Sequence, residues 1–207
     1  PSVFNTDAII QEMIGQGKTI EDARKSGASG CIEAGAFGKE AYFLTGYFNL
    51  PKVLEITLNN GIDPVSGAKL GIETGDPRSF ESFEQLFDAY KEQLAYFVDI
   101  KIKGNNIIEK INANFMPVPL LSLVTEDCIK NGMDYNQGGA RYNTSYIQGV
   151  GIGTITDCLS ALKYLVFDEK KLSMDQMMAA LADNFETHDI VHHQMRKSPK
   201  YGNDDSY

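Results

Sequence analysis

The sequence predicts one continuous piece, mostly helical, with a few short buried strands. Three observations carry that expectation. Apolar residues recur at helical spacing in several windows, clearest over Phe83, Leu86, Phe87, Tyr90, Leu94, Phe97 and Val98. Two glycine-rich stretches, residues 26–38 and 138–153, interrupt the helical pattern. No internal repeat, low-complexity tract or interdomain linker divides the chain.

The elements follow in order. Asn5 or Thr6 can cap a helix running through Ala8, Ile9, Ile10, Met13 and Ile14, and Gly15 and Gly17 stop it. Thr19-Ile20-Glu21-Asp22 resembles a capping box, with Asp as its short variant, opening a brief helix to Lys25. Residues 26–38 hold four glycines and further tiny residues; glycine costs backbone entropy in either regular structure, so the stretch reads as a tightly packed loop. Tyr42 to Leu50 is aromatic and expected to be buried. Pro51 suits the first helical position, and Val53 to Leu58 continues that helix to a stop at Asn59-Asn60-Gly61. Residues 61–79 carry turn signals (Asp63-Pro64, Ser66-Gly67, Gly75-Asp76-Pro77) and read as a surface excursion. Ser82 then caps the long amphipathic helix, and shorter helices are expected near 120–130, 155–166 and 173–185.

The bulk numbers narrow the function classes. The chain has 207 residues, 43% hydrophobic and 23% charged, an ordinary composition for a globular protein. A formal net charge of −9 repels phosphate backbones and anionic lipid, which speaks against nucleic-acid or membrane binding. No run of eighteen apolar residues implies a membrane span, and the N-terminus, Pro1 to Asp7, lacks the basic and apolar regions of a signal peptide. Three widely spaced cysteines, Cys31, Cys128 and Cys158, argue against a disulfide framework and for a reducing, cytoplasmic setting. With no CxxC, a cysteine zinc site is not expected. Both ends read as cut from a longer protein.

The stretch that carries chemistry is Ser29-Gly30-Cys31-Ile32-Glu33. In extended backbone, residues i and i+2 point to the same side. Cys31 and Glu33 would then present a thiol and a carboxyl to one cavity, with Ile32 anchoring the loop behind them. A carboxyl in such a poorly hydrated loop is expected to hold its proton more tightly, which suits proton transfer near neutral pH. On spacing alone a plainer arrangement fits better, with Cys31 a small buried hydrophobe beside a solvated Glu33.

Gly30-Cys31-Ile32-Glu33 resembles the Gly-Cys-x-Glu motif of glycyl radical enzymes, in the dehydratase and lyase branch related to pyruvate formate-lyase. The string from Cys31 to Tyr42, then Leu44-Thr45-Gly46-Tyr47 and Leu54 to Gly61, is similar to the hydroxyproline dehydratase subgroup. So are Gly71 to Arg78, Gly138 to Thr144 and Pro199 to Asp205. Ala34 departs from the subgroup, whose pattern has Thr there. The resemblance implies an α/β fold, part of a ten-stranded α/β barrel that is mostly helical in this segment, with the Cys loop inserted into the barrel. It implies Cys31 as the thiyl residue, Glu33 as its acid–base partner and Tyr47 as a substrate-facing residue; a core aromatic fits Tyr47 equally well. The implied reaction removes water from trans-4-hydroxy-L-proline to give pyrroline-5-carboxylate. Relatives acting on glycerol or propane-1,2-diol, or a non-catalytic helical binding module, are the alternatives. The family's Arg-Val-x-Gly-aromatic radical motif is not found in residues 1–207. The chain is thus expected to be a central segment, 1–207, lacking the N-terminal half-barrel and the C-terminal glycyl radical domain, and to be inactive alone. No cofactor is expected in this segment. The glycyl radical would sit elsewhere in the longer enzyme, installed by a radical-SAM activating enzyme, and a homodimer is one assembly the resemblance allows.

Two other groupings carry less. Gly149-x-Gly151-x-Gly153 lacks the third glycine of a dinucleotide fingerprint, since Thr154 stands there, and no apolar strand is expected before it; close helix packing is the expectation. His188, His192 and His193 are the only histidines; an i, i+4 pair could ligate a metal, but a solvated helix end is the expectation.

Overall fold

The computed structural model describes residues 5–30, 33–204 and 207. In chain order the elements are helices α1 (Thr6–Gly15) and α2 (Ile20–Arg24), strands β1 (Gly27–Ser29), β2 (Glu33–Gly35) and β3 (Glu40–Asn49), and helices α3 (Leu50–Leu58), α4 (Phe83–Phe115), α5 (Pro119–Val124) and α6 (Cys128–Asn131). Strand β4 (Tyr142–Val150) and helices α7 (Ile152–Leu162), α8 (Met174–Ala182) and α9 (Asp189–Lys197) follow, with short 3-10 helices at Pro77–Ser79 and Tyr135–Gln137 and a π-helical turn at Lys163–Asp168. Helix dominates and strands are few, as expected. The strands form two small sheets, β1 with β2 and β3 with β4. No helix among the described residues is long and apolar enough to cross a membrane.

The caps at Asn5, Thr19 and Ser82 are predicted ones; that at Asn49 is not. Asn5 Oδ1 accepts from the amides of Asp7 and Ala8, and Thr19 Oγ1 accepts from Asp22 N at 3.2 Å. The reciprocal half of a capping box does not form at Thr19, because the Asp22 carboxylate serves Lys39, Tyr142 and Arg141 instead. Asn49 caps α3 with Pro51 in its first turn. Ser82 Oγ accepts from Gln85 N at 3.4 Å at the start of α4, which continues well beyond Val98 to Phe115.

The chain divides into two compact units. One comprises residues 48–101 and 149–207. Its core is a conventional apolar cluster: Val53, Leu54 and Leu58 of α3, Leu86 and Tyr90 of α4, Ile155 and Leu162 of α7, and Met174, Met177 and Met178 of α8. Fully burying a side chain such as Leu86 or Met177 stabilises the fold by roughly 1.5–3 kcal/mol. Gly151 meets the Pro51 ring so closely that a Cβ there would lie 2.7 Å from it. The excursion over residues 61–79 is tethered: Gln93, fully buried, accepts from Ile72 N at 2.8 Å and donates to Ile72 O at 2.9 Å.

The other unit comprises residues 1–47 and 102–148. Its apolar clusters are small, Met13 with Ala23 and Ala34, and Ala41 with Cys128 and Ala140. Polar groups do much of the remaining joining. Three expectations for this region are corrected. Residues 26–38 are not wholly loop: β1 and β2 pair antiparallel, Gly27 with Gly35, Ala28 with Ala34 and Ser29 with Glu33. Tiny residues pair here because neighbouring rings fill the space above them; a Cβ on Gly27 would lie 2.8 Å from the Phe37 ring. The Tyr42 to Leu50 stretch is strand but only partly buried, with Leu44 and Tyr47 exposed. The second glycine-rich stretch contains β4, so a strand does precede Gly151. The dinucleotide pattern still lacks its third glycine, and Gly151 is accounted for by its packing on Pro51.

Candidate functional site

The site is built on the β1–β2 hairpin. The Ser29–Glu33 pair closes it, leaving Gly30, Cys31 and Ile32 to join the strands. Cys31 and Ile32 lie outside the described residues. Their shared side with Glu33 therefore remains an expectation. Glu33 is the first residue of β2, and its carboxylate lies over Gly30: a Cβ there would sit 2.8 Å from Oε2. Gly30 has φ +61°, a left-handed conformation that glycine adopts at least cost. The carboxyl of Glu33 is thus folded back onto Gly30.

Alternation along β2 sorts its faces. Ala34 packs with Met13 and Ala23. Glu33 and Gly35 share the other face, and Tyr42 is pressed against Gly35: a Cβ there would lie 2.5 Å from the Tyr42 hydroxyl and 2.6 Å from Glu40 Oε2. Only glycine leaves room for that approach. The Tyr42 ring stacks on Tyr146 with centroids 5.8 Å apart. The Tyr42 hydroxyl is buried and has no hydrogen-bond partner among the described residues. Burial, with the carboxylate of Glu40 next in weight, pushes its pKa up to about 12, and the same causes hold Tyr146 well above the ordinary phenol range.

Glu40 is the centre of this region. It is buried, and its Oε1 pairs with the equally buried Lys18 Nζ at 3.1 Å. Glu40 Oε1 also accepts from Thr144 Oγ1 at 2.5 Å and lies 3.2 Å from the Tyr146 hydroxyl. Glu40 Oε2 accepts from the backbone amide of Ala36 at 2.7 Å, and the Tyr146 hydroxyl donates to Ala34 O at 2.8 Å. A second ionic group lies alongside: Asp22 pairs with Lys39, accepts from Tyr142 at 2.8 Å and meets Arg141, which also holds Glu126 and Asp127. The Lys39 hydrogen bond, with that from Tyr142, keeps Asp22 far below the usual carboxylate range.

The predicted residues are not all together. Tyr47 is 66% exposed on β3. Cys128 and Cys158 carry thiols pushed up chiefly by burial, which makes them poor nucleophiles. His188 pairs with Asp183 at 2.9 Å and His192 stacks on Phe185; no metal-ligating cluster occurs among the described residues. A cleft of about 670 Å³ in the 48–101/149–207 unit is lined by residues such as Leu54, Leu58, Cys158 and Met178, none of them from the hairpin. Sequence reasoning missed Lys18, Glu40, Tyr42 and Tyr146. The one local signal was a charged Glu40 among tiny and aromatic neighbours.

The chain is 62% identical, over its whole length, to trans-4-hydroxy-L-proline dehydratase of Clostridioides difficile, of which it covers 26%. A hydroxyproline dehydratase structure from Clostridioides difficile, solved with trans-4-hydroxy-L-proline bound, matches 99% of this chain and 26% of that one, with a TM-score of 0.94 and 61% identity. The glycerol-bound form of the B12-independent glycerol dehydratase from Clostridium butyricum matches 99% of this chain and 26% of that one, with a TM-score of 0.89 and 35% identity. The chain therefore spans about a quarter of the length of these relatives. The pyruvate formate lyase-like family model matches residues 1–207, and the chain belongs to that family.

Proposed function

We propose that this chain is the central, thiol-bearing segment of a longer glycyl radical dehydratase that converts trans-4-hydroxy-L-proline to pyrroline-5-carboxylate. The observation that carries the proposal is the Glu33 carboxylate folded over Gly30 at the end of the β1–β2 pair, in a chain 62% identical to that dehydratase.

A glycyl radical, held elsewhere in the longer enzyme and installed by a radical-SAM activating enzyme, would supply the step that removes the hydrogen atom from the Cys31 thiol. The residues suit such an encounter, because a turn flanked by glycine, alanine and serine lets another loop approach closely. The Cys31 sulfur then takes a hydrogen atom from the ring carbon next to the carbon bearing the hydroxyl. Glu33 gives a proton to the hydroxyl oxygen as the C–O bond breaks and water departs; the ring nitrogen loses its proton as the C=N bond forms, and the sulfur returns its hydrogen atom to the carbon that bore the hydroxyl. Tyr47 faces substrate on this proposal.

The test is anaerobic turnover of the activated full-length enzyme, following hydroxyproline loss and pyrroline-5-carboxylate formation. Cys31→Ser abolishes turnover, since a hydroxyl O–H is too strong a bond to enter the cycle. Glu33→Gln loses roughly 100-fold or more, the amount a positioned acid–base group supplies. Cys128→Ala and Cys158→Ala retain turnover. A parent that ignores hydroxyproline but dehydrates glycerol or propane-1,2-diol keeps the class and overturns the substrate; retained activity in Cys31→Ser overturns the mechanism.

A further inference from the structure

The second strand of the hairpin is held from outside by side chains that take no part in the reaction proposed above. Glu40 Oε2 accepts from Ala36 N at 2.7 Å, and Tyr146 donates to Ala34 O at 2.8 Å. The two backbone groups flank Gly35 and follow directly on Glu33. Glu40 cannot easily move: Lys18, Thr144 and Tyr146 all bear on its Oε1, and its side chain is fully buried. Tyr146 is fixed in turn by its stack on Tyr42. A carboxyl at a hairpin end would otherwise share in the opening of a three-residue strand, and three-residue strands have little stability of their own.

We propose that Tyr146 and Glu40 are positioning residues: together they clamp the backbone of residues 34–36 and so set where the Glu33 carboxyl stands. The proposal rests on the functional reading above for its kinetic consequence, but not for its structural one. Small displacements matter at such a site, because misplacing a reacting group by about 1 Å can cost on the order of 100-fold in rate.

The experiment compares two substitutions in the full-length enzyme that weaken the same buried network. Tyr146→Phe keeps the ring stack and removes the hydroxyl that reaches Ala34 O. Thr144→Val removes a hydroxyl that reaches Glu40 but touches no hairpin backbone. Three quantities are read: glycyl radical content by electron paramagnetic resonance, kcat and KM with hydroxyproline, and amide hydrogen exchange over residues 33–36. Tyr146→Phe is expected to lower kcat by about 10-fold or more, leave KM within about twofold, leave radical content unchanged and speed exchange over 33–36. Thr144→Val is expected to keep kcat within about twofold and leave that exchange unchanged, with a comparable loss of melting temperature.

A second pair keeps the test open should Tyr146→Phe fold poorly. Glu40→Gln with Lys18→Met neutralises the ion pair but leaves an oxygen for Ala36 N, and retains kcat within about threefold. Glu40→Leu with Lys18→Met lacks that oxygen and loses kcat as Tyr146→Phe does. Equal losses in Tyr146→Phe and Thr144→Val, or parental kcat in Tyr146→Phe, overturn the proposal and leave the network a support of the fold alone. If the unmutated enzyme does not turn over hydroxyproline, the functional reading fails by itself. The clamp is then judged on exchange over 33–36, where equal rates in parent and Tyr146→Phe overturn it.

Discussion

Replacing Gly35 and Gly30 separately by alanine tests how the hairpin is built, because the same added methyl meets different neighbours. At Gly35 the new Cβ would lie 2.5 Å from the Tyr42 hydroxyl and 2.6 Å from Glu40 Oε2, roughly 1 Å short of ordinary contact. Neither neighbour yields easily, since Tyr42 is stacked on Tyr146 and Glu40 is held by Lys18, Thr144 and Ala36 N. Overpacking of this kind costs about 1–3 kcal/mol, and two pinned neighbours place Gly35→Ala at about 2–3 kcal/mol. If that cost appears as easier opening of the hairpin, amides over 33–36 exchange about 30- to 150-fold faster in the full-length enzyme. At Gly30 the Cβ meets the tip of Glu33, 2.8 Å away, and the backbone cost of a left-handed alanine is about 1–2 kcal/mol. The added methyl displaces the end of a side chain and not backbone, so Gly30→Ala disturbs exchange less but moves the acid–base group, and turnover falls by on the order of 100-fold. Parental exchange in Gly35→Ala together with full turnover in Gly30→Ala would refute this hairpin geometry.

Tyr42→Phe removes a buried hydroxyl that has no partner among the described residues, so stability holds or rises, by up to about 1 kcal/mol, where Tyr146→Phe falls by a similar amount; melting of the two full-length variants separates them. The same residue sets a pH dependence. Its folded pKa of about 12 lies above the ordinary value of 10.0, so its titration leaves stability untouched below pH 10 and lowers it as pH rises towards 12; Tyr42→Phe flattens that limb of a pH–melting curve. Gln93→Leu leaves the N–H and C=O of Ile72 without their partner, at about 1–3 kcal/mol for each buried group, and is read as faster hydrogen exchange near residue 72.

The helices were legible because their signals are local. Asn5, Thr19 and Ser82 lie within three residues of the amides they accept from, and the apolar stripes of α3 and α4 repeat within single windows. What a window cannot contain was missed. Lys101 to Asn106 holds two lysines, a glycine and two asparagines, yet α4 passes straight through, and Asn105 is buried there. Strands β1 and β2 were unreadable for a related reason: their residues have poor strand propensity, and the pairing is made possible by Phe37 and Tyr42, which fill the space above the glycines.

The site divides in the same way. Cys31 and Glu33 were legible through a four-residue motif, whereas the groups that hold the hairpin come from far along the chain. Thr144 and Tyr146 stand 104 and 106 residues from Glu40, and no periodicity links such positions. The Lys18–Glu40 pair is the part that propensity would least suggest. Burying an ion costs several kcal/mol, and well-packed apolar residues of similar volume often stabilise a core as well or better. A leucine at 40 could fill the volume, but it could not accept the Ala36 amide. Nor could it orient the Tyr146 hydroxyl that reaches Ala34 O. A buried carboxylate answers both requirements at once, and Lys18 makes its charge tolerable. The expensive group is therefore best understood through the backbone it positions, and that backbone carries Glu33.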